Sequence, residues 1–304
     1  MLSNYGDYVD TINQFYLPEW LTVELVAANF ITFTPLFSYG STVLSIYRTQ
    51  SSLGFSLDIC ATMIIASVLR IAYYFIIPYE PALLRQSCVM IFIQAVLLKV
   101  SLLYRPKNYD VNVLKTGHSL WEKLSLVWSD FLQKSEIDLN ACLTLCGEVV
   151  TLIFIHFVRF FDPNFRRLGN FWQWNDEKYF WRFLFRFIVG ITILTALLQN
   201  VTQFGELLGS IGLFVESLLP LPQILLLNAL KTIEGFKLIL LVSWLCGDFM
   251  KISYLVFGAK NISGMFIFFA VFQMGLDFYI AGQYIHFKFF YKPGPEELEL
   301  QNLA

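Results

Sequence analysis

Apolar positions along the chain gather into long runs separated by short polar stretches. Seven runs are mostly apolar, at approximately 21–47, 56–77, 83–104, 180–201, 207–229, 238–257 and 262–287. A helix gains about 1.5 Å per residue, so about 20 such residues cross a hydrocarbon layer about 30 Å thick. Each run therefore predicts a transmembrane helix. An eighth run, 139–161, carries Glu148, His156 and Arg159 toward one side and is expected to enter and leave on one side of the membrane, or to pack on protein. Residues 120–132 follow another pattern. Leu120, Trp121, Leu124, Val127, Trp128, Phe131 and Leu132 share one helical face opposite Glu122, Lys123 and Asp130, as in a helix lying in the headgroup plane; a helix packed on a soluble partner is the alternative.

Charge supplies the orientation. With 139–161 not crossing, 17 of the 21 Lys and Arg residues fall on one side, only Arg85 and Lys260 lie opposite, and Arg70 and Lys251 sit inside spans. Seven crossings obey the positive-inside rule, whereas eight scramble it. The N-terminus is then lumenal and the C-terminus cytosolic. The first twenty residues hold Asp7, Asp10 and Glu19 and no basic stretch, so no cleavable signal peptide is expected and the first span acts as the anchor. Composition agrees, with 57% hydrophobic and 14% charged residues, against about 25% charged in soluble proteins. A net charge of -2 argues against nucleic acid as a partner. The five cysteines lie in apolar runs and read as small buried hydrophobes. Cys142 and Cys146 share a helical face, but with no further ligand at suitable spacing they make a poor metal site.

The two halves repeat at an offset of 181 residues: Gly54-Phe55 matches Gly235-Phe236, Ser67 matches Asp248, Arg70 matches Lys251 and Tyr73 matches Tyr254. The expected fold is an all-α membrane protein in which residues 21–104 and 207–287 form two parallel three-helix repeats. Helix 180–201 is the inverting linker, 105–179 a cytosolic insertion with interfacial helices, 1–20 a lumenal segment and 288–304 an acidic cytosolic tail. Parallel repeats place a binding site at their shared interface near mid-bilayer. Pro220-Leu-Pro222-Gln223, Gly235-Phe236 and Trp244-Leu-Cys-Gly247-Asp248-Phe-Met-Lys251 resemble the PQ-loop repeat. Arg48-Thr49-Gln50, Leu69-Arg70-Ile71, Leu83-Leu84-Arg85-Gln86-Ser87 and Phe171-Trp172-Gln173-Trp174 extend the resemblance, which is greatest toward the branch that includes a fungal flippase antagonist. The offset puts Ser41-Thr42 where a first proline-glutamine would stand. That departure speaks against symmetric rocking about paired hinges.

Ionisable groups within spans are costly, about +2.5–3.5 kcal/mol at a helix centre, and mark function by default. Here they are Glu216, Asp248 and Asp277 near mid-helix, with Arg70 and Lys251 nearer the lumenal ends. Asp248 and Lys251, three residues apart, are placed to neutralise each other; three acids against two bases leave one carboxylate over. Pro222 interrupts a hydrogen-bond ladder and frees carbonyls around Leu218, while Gln223 offers an amide, making a hinge, a coordinating notch or a static kink. Lys178, Arg182 and Arg186 form a basic stripe suited to lipid phosphates or to ordinary anchoring. Asn200-Val-Thr202 and Asn261-Ile-Ser263 match the glycosylation sequon. No nucleophile–base set, phosphate loop or metal-ligand set is evident, so no enzyme, cofactor or metal is expected. The family resemblance implies ATP-independent phospholipid scrambling in Golgi and endosomal membranes, with phospholipids as partners and an interplay with lipid flippases. A proton-coupled carrier of a small solute and a non-transporting sorting receptor are the alternatives.

Overall fold

Proline and polar punctuation divides the apolar runs into ten α-helices among the described residues. The computed structural model describes residues 23–52, 54–105, 120–133, 139–162, 165–231, 233, 236, 238–258 and 264–291. The segment 1–20 expected to be lumenal, Gly235, Lys260, the sequon at Asn261 and the acidic tail lie outside the described residues. The helices are α1 (Val23–Thr49), α2 (Asp58–Ile76), α3 (Pro81–Leu103), α4 (Leu120–Leu132), α5 (Leu139–Phe161), α6 (Glu177–Leu198), α7 (Thr202–Ser217), α8 (Pro220–Leu230), α9 (Leu238–Ser253) and α10 (Gly264–Ile285).

Helices α7 and α8 are one span broken in the middle. Neither Pro220 nor Pro222 has an N–H to continue the ladder, so the helix stops at Ser217 and restarts with Pro220 in its first turn, where a missing donor costs nothing. The Leu218 amide reaches back to the Phe214 carbonyl at 3.2 Å, and the Leu218 carbonyl accepts the Leu221 amide at 3.0 Å. The interruption thus falls at Leu218–Leu219. The carbonyl expected to be freed there is occupied, because a tight turn satisfies it locally.

Among the described residues seven stretches are long and apolar enough to cross a membrane: Asp58–Ile76, Pro81–Leu103, Cys142–Phe161, Glu177–Leu198, Thr202–Leu230, Leu238–Phe257 and Gly264–Phe290. Their number equals that expected, but their membership differs. The stretch in α5 is included and α1 is not, because Thr32, Thr34, Ser38, Ser41 and Thr42 lower the apolar character of α1. At 27 residues α1 is nonetheless about 40 Å long, and it packs against α3 and α9 with Thr32, Ser38 and Thr42 buried. The run expected to be re-entrant or protein-packed is one unbroken helix, α5, and among its described side chains only Phe161 is buried. Leu143, Val150, Ile153, Phe154, Ile155 and Phe160 are exposed, so apolar side chains surround it and no buried polar group bends it. Glu148 is exposed, His156 Nδ1 pairs with the Leu152 carbonyl one turn back and Arg159 stacks on Phe165. The three form no cluster. Helix α4 has no buried residue and packs on α5, leaving Trp121 and Trp128 exposed. Of the cysteines Cys60 alone is buried; the other four face outward from the apolar helices, where lipid replaces a protein core.

The packing has an internal symmetry. In the first half α1 packs on α3 and α3 on α2; in the second α7–α8 packs on α10 and α10 on α9. The halves meet through α2 against α7 and through α1 against α9, which are equivalent seams under the repeat, and α6 lies on the outside of α2. Arg167 clamps one end of the bundle: its Nη1 and Nη2 donate to Asp58 Oδ1 and Oδ2, both at 2.6 Å, and its Nε donates to the Phe160 carbonyl. Trp172 Nε1 donates to the Leu57 carbonyl at 2.9 Å, and Gln173 accepts the Arg167 amide at 2.9 Å. The aromatic string at 171–174 is therefore a latch on the start of α2.

Glycines close one seam. A β-carbon on Gly205 would stand 2.7 Å from Ile76 Cγ2, on Gly209 3.0 Å from the Tyr73 ring and on Gly212 3.2 Å from Leu69 Cβ, so α7 approaches α2 as only small residues allow. On the equivalent seam, a β-carbon on Gly247 would meet only Thr34 Cγ2, at 3.6 Å. Gly209→Val is expected to destabilise the bundle by about 1–3 kcal/mol through overpacking, and Gly247→Ala to be near neutral, as read by thermal unfolding in detergent; equal effects at the two positions would contradict the asymmetry.

Candidate functional site

Three helices deliver three charges to one point. Arg70 projects from α2, Glu216 from the last turn of α7 and Lys251 from α9. Arg70 Nη1 donates to Glu216 Oε2 at 2.6 Å and Lys251 Nζ to Glu216 Oε1 at 2.7 Å, all three being buried. Arg70 Nη2 also reaches the Leu83 carbonyl at 3.3 Å, and the Tyr79 hydroxyl donates to the Arg70 carbonyl at 3.0 Å. Arg70 and Lys251 occupy equivalent places in the two repeats, yet both bind the same carboxylate. The reason lies in the offset: 216 − 181 = 35, and residue 35 is proline. The first half has no acid of its own at that place, so Glu216 serves both.

This convergence alters the charge pairing expected from helical spacing. Lys251 reaches across to Glu216 instead of binding its near neighbour Asp248, because the break after Ser217 sets Glu216 between the two cations. Asp248 Oδ1 instead accepts from Gln273 Nε2 at 2.9 Å, while Asp248 Oδ2 and both oxygens of the fully buried Asp277 meet no hydrogen-bond donor among the described residues. Among the described residues two carboxylates, not one, are left without an ion pair. They adjoin each other, and Tyr39 of α1 lies beside both.

A partly open cleft of about 60 Å³ connects these groups. Its lining comes from α1 (Thr34, Pro35, Ser38, Tyr39), α3 (Gln86, Met90), α7 (Glu216), α9 (Ser243, Trp244, Gly247, Asp248, Met250, Lys251) and α10 (Gln273). It follows the α1–α9 seam, the one that glycines do not seal. The Thr34 hydroxyl bonds the Phe30 carbonyl at 2.7 Å and the Ser243 hydroxyl the Leu240 carbonyl at 2.9 Å, so each proton is satisfied within its own helix while the oxygen still has acceptor capacity. Exposed Phe33, Phe37, Val242 and Phe249 occupy the same two helices and present an apolar surface to lipid.

The expected path residues Glu216, Asp248, Lys251 and Arg70 are thus brought together, with Asp277 behind Asp248, but all are buried and none forms an outward-facing row. Of the other lining residues, Trp244 stood in the motif read from the sequence, whereas Thr34, Ser38, Tyr39, Ser243 and Gln273 were not singled out there. The Thr34/Ser38 spacing of four residues within an apolar run was the available signal. Pro222 lies in the first turn of α8, and Gln223 Nε2 donates to the Gly54 carbonyl at 3.1 Å, a bond between the halves. Lys178, Arg182 and Arg186 are exposed along α6; Lys178 pairs with Asp176 at 2.8 Å, and both Lys178 and Arg182 lie over the Tyr179 ring.

Breaking a buried ion pair leaves an uncompensated charge. Glu216→Gln, which orphans two cations, is expected to cost about 3–5 kcal/mol, while Arg70→Met/Glu216→Leu/Lys251→Met is expected to recover much of that loss. Thermal unfolding of both in detergent checks the pair, and a near-neutral Glu216→Gln would show that the triad carries no such load.

The sequence pattern of the PQ loop repeat family matches residues 204–264, the segment that holds Glu216, Pro222, Gln223, Asp248 and Lys251. The chain is 50% identical to the Scramblase ANY1 of Saccharomyces cerevisiae over 307 aligned positions, covering 93% of this chain and 76% of that protein. No solved structure matches. Given these likenesses, the repeated three-helix packing and the apolar spans, this membrane protein belongs to the PQ-loop repeat family, together with that yeast scramblase.

Proposed function

We propose that the protein scrambles phospholipids between leaflets without ATP, in Golgi and endosomal membranes, where it opposes the asymmetry made by lipid flippases. In this reading the N-terminus is lumenal and the C-terminus cytosolic. One observation carries it: of two equivalent seams between the repeats, glycines seal α2–α7, while α1–α9 keeps a polar cleft ending on buried charges. A headgroup crossing a bilayer needs hydrogen-bonding groups along its way, because burying a polar group without partners costs about 2–7 kcal/mol. Thr34, Ser38, Ser243 and Gln86 offer such groups, and the acyl tails stay in lipid against Phe33, Phe37 and Phe249. Arg70, Glu216 and Lys251 hold the halves together beneath this route, in place of lining it as an open row. The exposed Lys178, Arg182 and Arg186 gather headgroups at the cytosolic entrance, and the α4 face anchors there. The missing first proline-glutamine and the fixed ion triad both favour a standing path over a rocking carrier.

Purified protein in liposomes with acyl-labelled fluorescent phospholipid is expected to expose inner-leaflet dye to a membrane-impermeant reductant without ATP. Filling the seam with Gly247→Leu or Ser243→Leu should slow this by more than tenfold, the rate equivalent of about 1.4 kcal/mol or more, with unfolding temperature unchanged. Protection of half the dye, with pH-driven uptake of a small solute, would overturn scrambling in favour of a carrier.

A further inference from the structure

Of the acids around the cleft, Glu216 takes both nearby cations, Arg70 and Lys251, while Asp248 and Asp277 adjoin each other and form no ion pair of their own among the described residues. Asp248, 6% exposed, lines the cleft with one oxygen that meets no donor, and Asp277, 0% exposed, stands behind it with two. The aromatic rings of Tyr39 and Trp244 line the same space, and Trp244 shares a helical face with Asp248 one turn away. A buried carboxylate with spare lone pairs, flanked by two aromatic rings, is a setting that attracts a compact organic cation. The volume of about 60 Å³ has room for about four waters, the scale of a small ammonium group rather than of a whole headgroup.

We propose that this cleft is an ammonium-recognition site, which takes the positively charged amine of a phospholipid headgroup between Asp248 and the rings of Tyr39 and Trp244. The proposal rests on the scrambling reading for its biological setting and deepens it by naming the lipid class: amine-bearing headgroups such as phosphocholine and phosphoethanolamine are admitted, while an anionic headgroup without an amine is disfavoured. Lys251 Nζ donates to Glu216 and so fills no hydrogen-bonding place on Asp248. The headgroup phosphate stays on the seam side, within reach of the Ser243 and Thr34 hydroxyls, and the amine leads into the cleft.

Two measurements on the purified full-length protein separate this site from the scrambling reading. In liposomes, acyl-labelled phosphatidylcholine is expected to cross roughly tenfold faster than acyl-labelled phosphatidylglycerol, the ratio produced by one charge-assisted contact. Asp248→Asn, Asp277→Asn and Trp244→Leu should each bring the two rates together by slowing the choline lipid. In detergent, soluble dihexanoyl-phosphatidylcholine should raise the unfolding temperature more than dihexanoyl-phosphatidylglycerol, and Asp248→Asn should abolish the difference. Scrambling with equal rates for the two lipids and equal stabilisation by them would overturn the site and leave scrambling standing. Choline-selective stabilisation without any scrambling would overturn the transport reading and keep the site. Absence of both would overturn both.

Discussion

A carboxylate placed between two cations in the middle of a membrane protein organises this structure. Glu216 cannot be left charged in a low-dielectric interior without partners, and neither can Arg70 or Lys251. The three discharge that cost together, from three helices and both repeats. The break at Leu218–Leu219 follows immediately, so the triad lies where the span formed by α7 and α8 changes direction. Chain connectivity alone would allow the two halves to slide past each other. The triad, with the Gln223–Gly54 hydrogen bond toward the opposite end, sets their register.

The repeat symmetry is broken in a chemically useful way. Both seams between the halves are built from equivalent helices, but α7 presents Gly205, Gly209 and Gly212 to α2, and the backbones close until Ile76, Tyr73 and Leu69 fill the gap. On the other seam α1 presents Thr34 and Ser38, and α9 presents Ser243 and Gly247. Hydroxyls bonded to their own helix backbones keep polar character at a lipid-facing seam without leaving a bare donor. With the ion triad locked, this arrangement fits a path that stands ready more readily than one that must alternate. The two carboxylates that the triad leaves over stand beside this seam.

The latch at the start of α2 links the insertion to the core. Arg167 forms a two-point ion pair with Asp58 and also holds the Phe160 carbonyl at the end of α5. Phe157 stacks near Phe214, so the last turns of α5 lie against the second half while the rest of that helix faces outward. The position of α5 is thus tied to the helix that carries Arg70.

Much of the fold was legible without coordinates. Run length alone marks the spans, because bilayer thickness and helix rise leave little freedom; the 181-residue offset marks two equivalent halves; and the paired prolines mark a broken helix. The near-complete exposure of α5 was not legible, because charge bookkeeping weighs loops and ignores whether a helix has protein to bury against. The charged residues of the site were legible from their cost, but their pairing was not. Spacing along one helix joins Asp248 to Lys251, whereas proximity across three helices gives Lys251 to Glu216 and sets Asp248 and Asp277 beside Tyr39. Nor does any local pattern say which of two equivalent seams stays open, since glycine in an apolar helix is silent until its neighbour is known. The sequence by itself determined which groups must be buried and at what depth, because those follow from transfer free energies residue by residue. Only the tertiary structure decided which charges meet and which seam keeps a cleft, because contacts between helices depend on side chains distant in the chain.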